Sequence, residues 1–213
     1  GYLYPADENG NKPIAYYWAR TATCSNPSCK AEVPLLKQFY LANTSSKKVY
    51  LNPVINGTDI QFEIKEGTCP IKEGWNKTGN LTCPCCGSVT TSKQVKEQSC
   101  ESQLKEKFIA TIVESHGGKK YQLPSIDLLL PNIDYHNEFI PLEMMTKQTD
   151  LISSRGWGIN QWYQMFSSRQ LYMLQSFTKS FSLLKKKIEP TQYTQALYTY
   201  LAIWIDRIAV ANT

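Results

Sequence analysis

The chain lacks any apolar run of about 18 residues, the least that spans a bilayer as a helix. Its densest apolar stretch, Leu197 to Val210, is interrupted by Asp206 and Arg207, so no membrane partner is expected. Histidine is scarce. Only His116 and His136 occur, both in loop-like sequence, which disfavours a catalytic zinc with His ligands and an open position. A glycine-rich phosphate loop is missing as well. Gly117-Gly118 is too short, and Gly156-Trp157-Gly158 has no strand before it and no third glycine. No Ser/His/Asp set sits in a motif. Asp127, Asp134 and Glu138 share one loop-rich region, where carboxylates are ordinarily just solvated. Neither sign of charge dominates. The 23 basic and 18 acidic residues leave +5, a mild excess that permits nucleic-acid contact without arguing for it.

What is present points to a metal. The 213 residues, 42% of them apolar, suffice for one large domain or two small ones with a real core. Seven cysteines occur, an odd count that fits a disulfide framework poorly. Four Asn-x-Ser/Thr matches, at Asn43, Asn56, Asn76 and Asn80, are the opposing sign of a secreted glycoprotein, but a chain this rich in Asn, Ser and Thr produces such matches by chance. Cys24 and Cys29 have four residues between them, and Cys83 and Cys86 have two. Two such turns suit one tetrahedral ion with four thiolates, a structural zinc of the ribbon type. Pro84 stiffens the second turn and Gly87 supplies backbone freedom just after it. The 53 residues between the pairs exceed a minimal ribbon, yet loop closure grows only slowly with length. Cys86 is preferred to Cys85 as fourth ligand, because C-x-C is poorer ribbon geometry. Redox C-x-x-C chemistry at Cys83/Cys86 is the weaker alternative, since it needs no second pair. Cys69, Cys85 and Cys100 read as packing residues.

The expected fold is α+β: a zinc-ribbon, antiparallel β region over 1–123, an irregular connector over 124–155, and a helical region over 156–213. Strands are expected at Pro13–Trp18, Pro34–Leu41, Lys48–Val54 and Asp59–Ile64. A loop is expected from Gly67 to Asn80, and a hairpin joins Lys107–Val113 to Lys120–Leu123 across His116-Gly117-Gly118. Ser167 and Gln170 form a capping box. Leu171, Leu174, Phe177, Phe181, Leu184 and Ile188 then line one helix face up to Pro190. Thr191 caps a second helix carrying Leu197, Leu201, Trp204, Ile205 and Ile208 on one side. A tight turn between two such helices makes an antiparallel pair. Trp157, Trp162, Tyr163 and Phe166 read as an aromatic cluster anchoring the first of them to the sheet, with stacking on nucleic-acid bases as the alternative.

Several segments together resemble the zinc-ribbon-containing, adenine-specific DNA methylases. They are Pro13-Ile-Ala-Tyr-Tyr-Trp-Ala-Arg-Thr-Ala-Thr-Cys24, Asn26-Pro-Ser-Cys29, Val33-Pro-Leu-Leu-Lys-Gln38, Thr82-Cys-Pro-Cys-Cys-Gly87, Met165-Phe-Ser-Ser-Arg-Gln-Leu171 and Tyr200-Leu-Ala-Ile-Trp-Ile-Asp-Arg-Ile-Ala209. Gly57–Asn80 and Gln122–Ser154 match weakly. The resemblance implies an internal region of a prokaryotic, cytoplasmic methyltransferase that uses S-adenosylmethionine. The family's glycine-rich cofactor loop and Asp-Pro-Pro-Tyr catalytic motif are not in these residues, so the cofactor is expected only in the parent protein and no catalytic residue here. DNA and the remainder of the methylase are the implied partners. Lys47, Lys48, Arg169 and Lys185, Lys186 and Lys187 are the candidates for contacts to the DNA backbone. A purely structural or protein-docking insertion, and a stand-alone nucleic-acid-binding ribbon, are the alternatives.

Overall fold

The computed structural model describes residues 4–101, 104–124, 139–145 and 157–211. The fold is α+β. Strands β1 (Pro13–Thr23), β2 (Glu32–Pro34), β3 (Tyr40–Asn43), β4 (Lys48–Asn56), β5 (Asp59–Glu66), β6 (Asn76–Lys77), β7 (Asn80–Thr82) and β8 (Val89–Thr90) precede helix α1 (Ser92–Cys100). Then come β9 (Lys105–Ser115), β10 (Gly118–Gln122) and helices α2 (Ser168–Lys187) and α3 (Gln192–Ala211). The chain divides into two compact units, Gly1–Asp127 with Gly156–Gly158, and Leu128–Arg155 with Ile159–Thr213.

Three antiparallel sheets build the first unit: β10-β9-β1-β2, β3-β4-β5 and β6-β7-β8. Period-two alternation explains β5. Ile60 and Phe62 are buried while Asp59, Gln61 and Glu63 face water. Gly57, at φ +62°, turns the chain between Asn56 and Asp59 so that β4 and β5 pair along their length. Val33, Phe39, Val49, Ile60, Leu81 and Val95 are fully buried in one core, and Trp75 meets Phe39 edge-on at 5.1 Å.

Two expectations need correction in this unit. Pro34–Leu41 is not one strand. β2 ends at Pro34, and the chain then turns to hydrogen-bond a distant loop, where Gly74 N donates to Lys37 O (3.2 Å) and Asn76 N to Leu36 O (3.0 Å). A Cβ on Gly74 would lie 2.3 Å from Leu36 O, so that approach requires glycine. The expected loop over 67–80 accordingly contains β6 and the first residue of β7. Helix α1 was not expected at all. Thr91 caps it, accepting from Gln94 N at 3.4 Å while Thr91 N donates to Gln94 Oε1 at 2.9 Å. Val95 is its one buried residue.

In the second unit, Ile140 and Leu171 form a small core with Tyr163, Phe166 and Tyr172. A 3-10 turn, Trp162–Met165, leads into α2, whose Ser167 cap accepts from Gln170 N at 3.4 Å. Phe177 meets Trp204 at 5.5 Å and Phe181 meets Tyr198 at 6.0 Å. Rising numbers on α2 match falling numbers on α3, so the two helices pair antiparallel. Thr191 caps α3, accepting from Thr194 N at 3.2 Å. The four aromatics expected to act as one cluster divide. Trp157 packs on the first unit's core, Tyr163 and Phe166 on the second unit's, and Trp162 is exposed. Of the 124–155 connector, most residues, His136 included, lie outside the described residues.

Candidate metal centre

The two cysteine turns are built alike. β1 ends at Thr23 and delivers Cys24; β7 ends at Thr82 and delivers Cys83. Each first cysteine closes its loop by donating a backbone N–H, Cys24 to Ala31 O and Cys83 to Ser88 O, both at 2.9 Å. Within the first turn, Cys29 N and Lys30 N both donate to Asn26 O, at 3.0 and 3.1 Å. Asn26 Oδ1 meanwhile accepts from Ser28 N at 3.0 Å. In the second, Gly87 N donates to Cys83 O at 2.9 Å. The residue after the second cysteine has a left-handed backbone in each case, Lys30 at φ +50° and Gly87 at +76°.

These turns place the sulfurs of Cys24, Cys29, Cys83 and Cys86 within 4.8 Å of one another. Cys24 Sγ is 3.6 Å from Cys86 Sγ, and Cys29 Sγ is 3.8 Å from Cys83 Sγ. A disulfide would need about 2.05 Å, and all seven cysteines are free thiols. A tetrahedron with metal–sulfur bonds of about 2.3 Å has sulfur–sulfur edges of about 3.8 Å. The four thiols thus form a cluster able to hold a metal ion, and the donor set, four soft sulfurs with no fifth ligand atom in the group, suits zinc. Cys24 and Cys83 are buried, Cys29 is half-buried and Cys86 is exposed.

Their acidities differ with environment. Burial pushes the Cys24 thiol up to about 12, reinforced by its neighbouring thiols. Cys29 is also raised: a backbone hydrogen bond from Ala31 lowers it, but desolvation and the Cys83 and Cys86 sulfurs outweigh that. Cys86 is held down to about 6, chiefly by hydrogen bonds from the Ser88 side chain and backbone. Cys85, half-buried, is raised to about 11 by burial and packs against the core. Cys24 and Cys29, both raised, give up their protons more readily beside a cation.

Residues outside the cysteines tie the turns together. Gln98 on α1 accepts from Thr23 N and donates to Thr23 O, both at 2.9 Å. Thr90, fully buried, accepts from Ser25 N at 2.9 Å. Neither was legible from spacing, because each acts through contacts 65 or more residues away in sequence. Cys69 is buried with its sulfur 3.4 Å from Ile71 O, and Cys100 is exposed at the end of α1.

The basic candidates fall in both units, Lys47 and Lys48 in the first and Arg169, Lys185, Lys186 and Lys187 in the second. Lys47 donates to Lys119 O (3.1 Å), pairs with Glu66 (3.8 Å) and sits over the Tyr121 ring. Lys48 is exposed at the start of β4. Arg169 is only 6% exposed, which leaves it no open side for a phosphate and corrects its place among the candidates. Lys185, Lys186 and Lys187 are exposed in the last turn of α2. Among the described residues no helix is long and apolar enough to cross a membrane. No protein-family model matches the chain, and comparison with curated proteins and solved structures finds no match either.

Proposed function

We propose that this chain is a zinc-ordered region of an adenine-specific DNA methyltransferase, holding DNA for a catalytic core supplied elsewhere in the parent protein. The observation that carries the metal half of this reading is the four-sulfur cluster, whose 3.6 and 3.8 Å separations fit the edges of a zinc–thiolate tetrahedron. Zinc there has no step in catalysis. It crosslinks two turns that the sequence keeps far apart and supplies folding free energy directly. The methyltransferase half rests on the segments that resemble that family. Binding of S-adenosylmethionine and methyl transfer belong to motifs of the parent that these residues do not contain.

The test has three readings. Metal analysis of purified protein should return one zinc per chain. Fluorescence-anisotropy titration with duplex DNA should show binding that weakens as salt rises. Calorimetric titration with S-adenosylmethionine should give no saturable heat. A folded, zinc-free protein overturns the metal assignment, and no DNA binding at low salt overturns the DNA role.

A docking insertion is the second reading, favoured by one observation. Helix α3 exposes large apolar side chains, with Tyr193 and Tyr200 at 77% and 74% and Trp204 and Val210 also open. An exposed apolar stripe of that kind is a usual mark of a protein contact. The anisotropy titration separates the two, since a docking insertion gives no salt-dependent signal.

A further inference from the structure

A row of aromatic rings that the metal centre does not use runs from the segment before β1 onto the four-stranded sheet. Tyr4, Tyr16, Phe108 and Trp18 follow one another with centroid separations of 5.8, 5.5 and 4.6 Å. The last pair is nearly parallel, at 12°. Trp18 is opposite Phe108 in the β1–β9 register, so the two rings stand side by side on one face. Phe108 covers one side of the indole, yet Trp18 remains 43% exposed. The reason is topological. β2 pairs with β1 only at Thr21–Thr23, so next to Trp18 the outer edge of β1 carries no strand among the described residues.

Arg20 lies two residues further along β1, hence on the same face. Its side chain is exposed and makes no hydrogen bond or ion pair among the described residues. Glu106 faces it across the register and moderates the local charge without closing on it. A flat ring already braced by a second ring, open on its other side, with a guanidinium one position away, has the elements that single-stranded nucleic acid uses. Bases stack on aromatic faces with little regard to sequence, and Arg takes the flanking phosphate. A duplex keeps its base faces stacked on one another, so it offers such a site only its backbone.

We propose that Trp18, stacked on Phe108 with Arg20 beside it, is a seat for an unpaired nucleobase of single-stranded DNA, with Arg20 on the adjoining phosphate. This inference rests on the DNA-holding reading above. The experiment measures the full chain by fluorescence anisotropy against three probes of equal length: oligothymidylate, the same backbone with abasic sites, and a duplex. The wild-type protein should prefer oligothymidylate to the abasic strand. Trp18→Ala should weaken oligothymidylate binding roughly ten- to a hundredfold and leave the abasic strand and the duplex unchanged. Trp18→Leu, which keeps an apolar side chain on the sheet, should do the same and serves where the alanine variant folds poorly. Arg20→Gln should weaken binding of all three probes and reduce the salt slope by about one.

Equal binding of base-bearing and abasic strands by the wild type, or an equal loss for all three probes in the Trp18 variants, overturns the seat. If duplex binding persists in either case, the DNA-holding reading survives. If none of the probes binds at low salt, that reading fails and the seat with it.

Discussion

Gln98 holds Thr23 by both ends of one amide, accepting from its N–H and donating to its C=O at 2.9 Å each. Thr23 is the last residue of β1 and immediately precedes Cys24. The helix that was not expected from sequence therefore sets the position of the first metal-ligand candidate. Gln98→Ala removes two hydrogen bonds and leaves the Thr23 groups to water or to nothing. With roughly 0.5–1.5 kcal/mol per bond, the expected loss is about 1–3 kcal/mol in urea unfolding. Metal affinity should fall by about tenfold, as for other outer-sphere supports. A variant with unchanged unfolding midpoint and unchanged competition with a chelator would show that α1 merely rests against the strand.

The choice between the adjacent thiols Cys85 and Cys86 gives the next prediction. Cys86 reaches Cys24 across the centre, whereas Cys85 packs toward the core. Cys86→Ser should lose the metal and unfold the ribbon, because ligand loss removes folding free energy outright. Cys85→Ser should retain one metal per chain and cost no more than burying a hydroxyl. If Cys85→Ser is the more damaging of the two, as read by zinc content and circular dichroism, the ligand set is wrong.

Much of this was legible in the chain, and for identifiable reasons. Cysteine turns are local: the spacing of Cys24/Cys29 and Cys83/Cys86, with Gly87 behind the second, reports a backbone shape directly. Helices α2 and α3 announce themselves by caps at Ser167 and Thr191 and by a stop at Pro190. Helix α1 carries a cap of the same kind, Thr91 with Gln94, but its sequence, Ser-Lys-Gln-Val-Lys-Glu-Gln-Ser-Cys, buries only Val95, so no apolar periodicity stands behind the cap. The break at Pro34 is set by hydrogen bonds to residues 74 and 76, and Arg169, read from sequence as a candidate contact to the DNA backbone, is buried. These last two misses are tertiary contacts overriding a local pattern.

Metal binding should release protons, with a sign and a pH window set by the thiols. Cys24, pushed up to about 12, and Cys29, raised above its ordinary value, are protonated at pH 7; Cys86, held near 6, is a thiolate. A metal that takes all of them must displace at least two protons between about pH 6 and 9. Below about 6 Cys86 adds another, so affinity falls more steeply there. Calorimetric zinc titrations at pH 7 in two buffers should differ, per metal, by at least twice the difference between the buffers' ionisation enthalpies. Identical apparent enthalpies in all buffers would contradict this assignment.

The left-handed residues after each second cysteine should respond unequally to substitution. At Gly87 a Cβ would meet nothing within 4 Å, so Gly87→Ala costs only the backbone strain at φ +76°, about 1–2 kcal/mol. Lys30 already bears that strain at φ +50°. Lys30→Gly relieves it but loosens the unfolded chain by a comparable amount, so the net change should be near zero. Urea midpoints of the two variants decide the matter. A large loss for Lys30→Gly would mean that the lysine side chain contributes something beyond its backbone.

The lysines ending α2 distinguish an electrostatic cap from a DNA contact. Lys185, Lys186 and Lys187 occupy the last turn, where the helix leaves carbonyls unpaired and partial negative charge accumulates. Each cation there is worth about 0.3–1 kcal/mol, and Lys185 also lies 5.9 Å over the Phe181 ring. If that is their whole role, changing all three to Glu costs a modest amount of stability and leaves any DNA affinity untouched. The DNA-holding reading expects more. Three phosphate contacts would give a slope of log affinity against log salt of about −3 on duplex DNA. The triple variant should flatten that slope and weaken all sequences equally, because phosphates carry no base information. Anisotropy titrations at two salt concentrations, paired with thermal unfolding of the same variant, separate the two. A stability loss with unchanged salt slope would assign these lysines to the helix end alone and move the search for the DNA contact to the first unit, where Arg20 stands open.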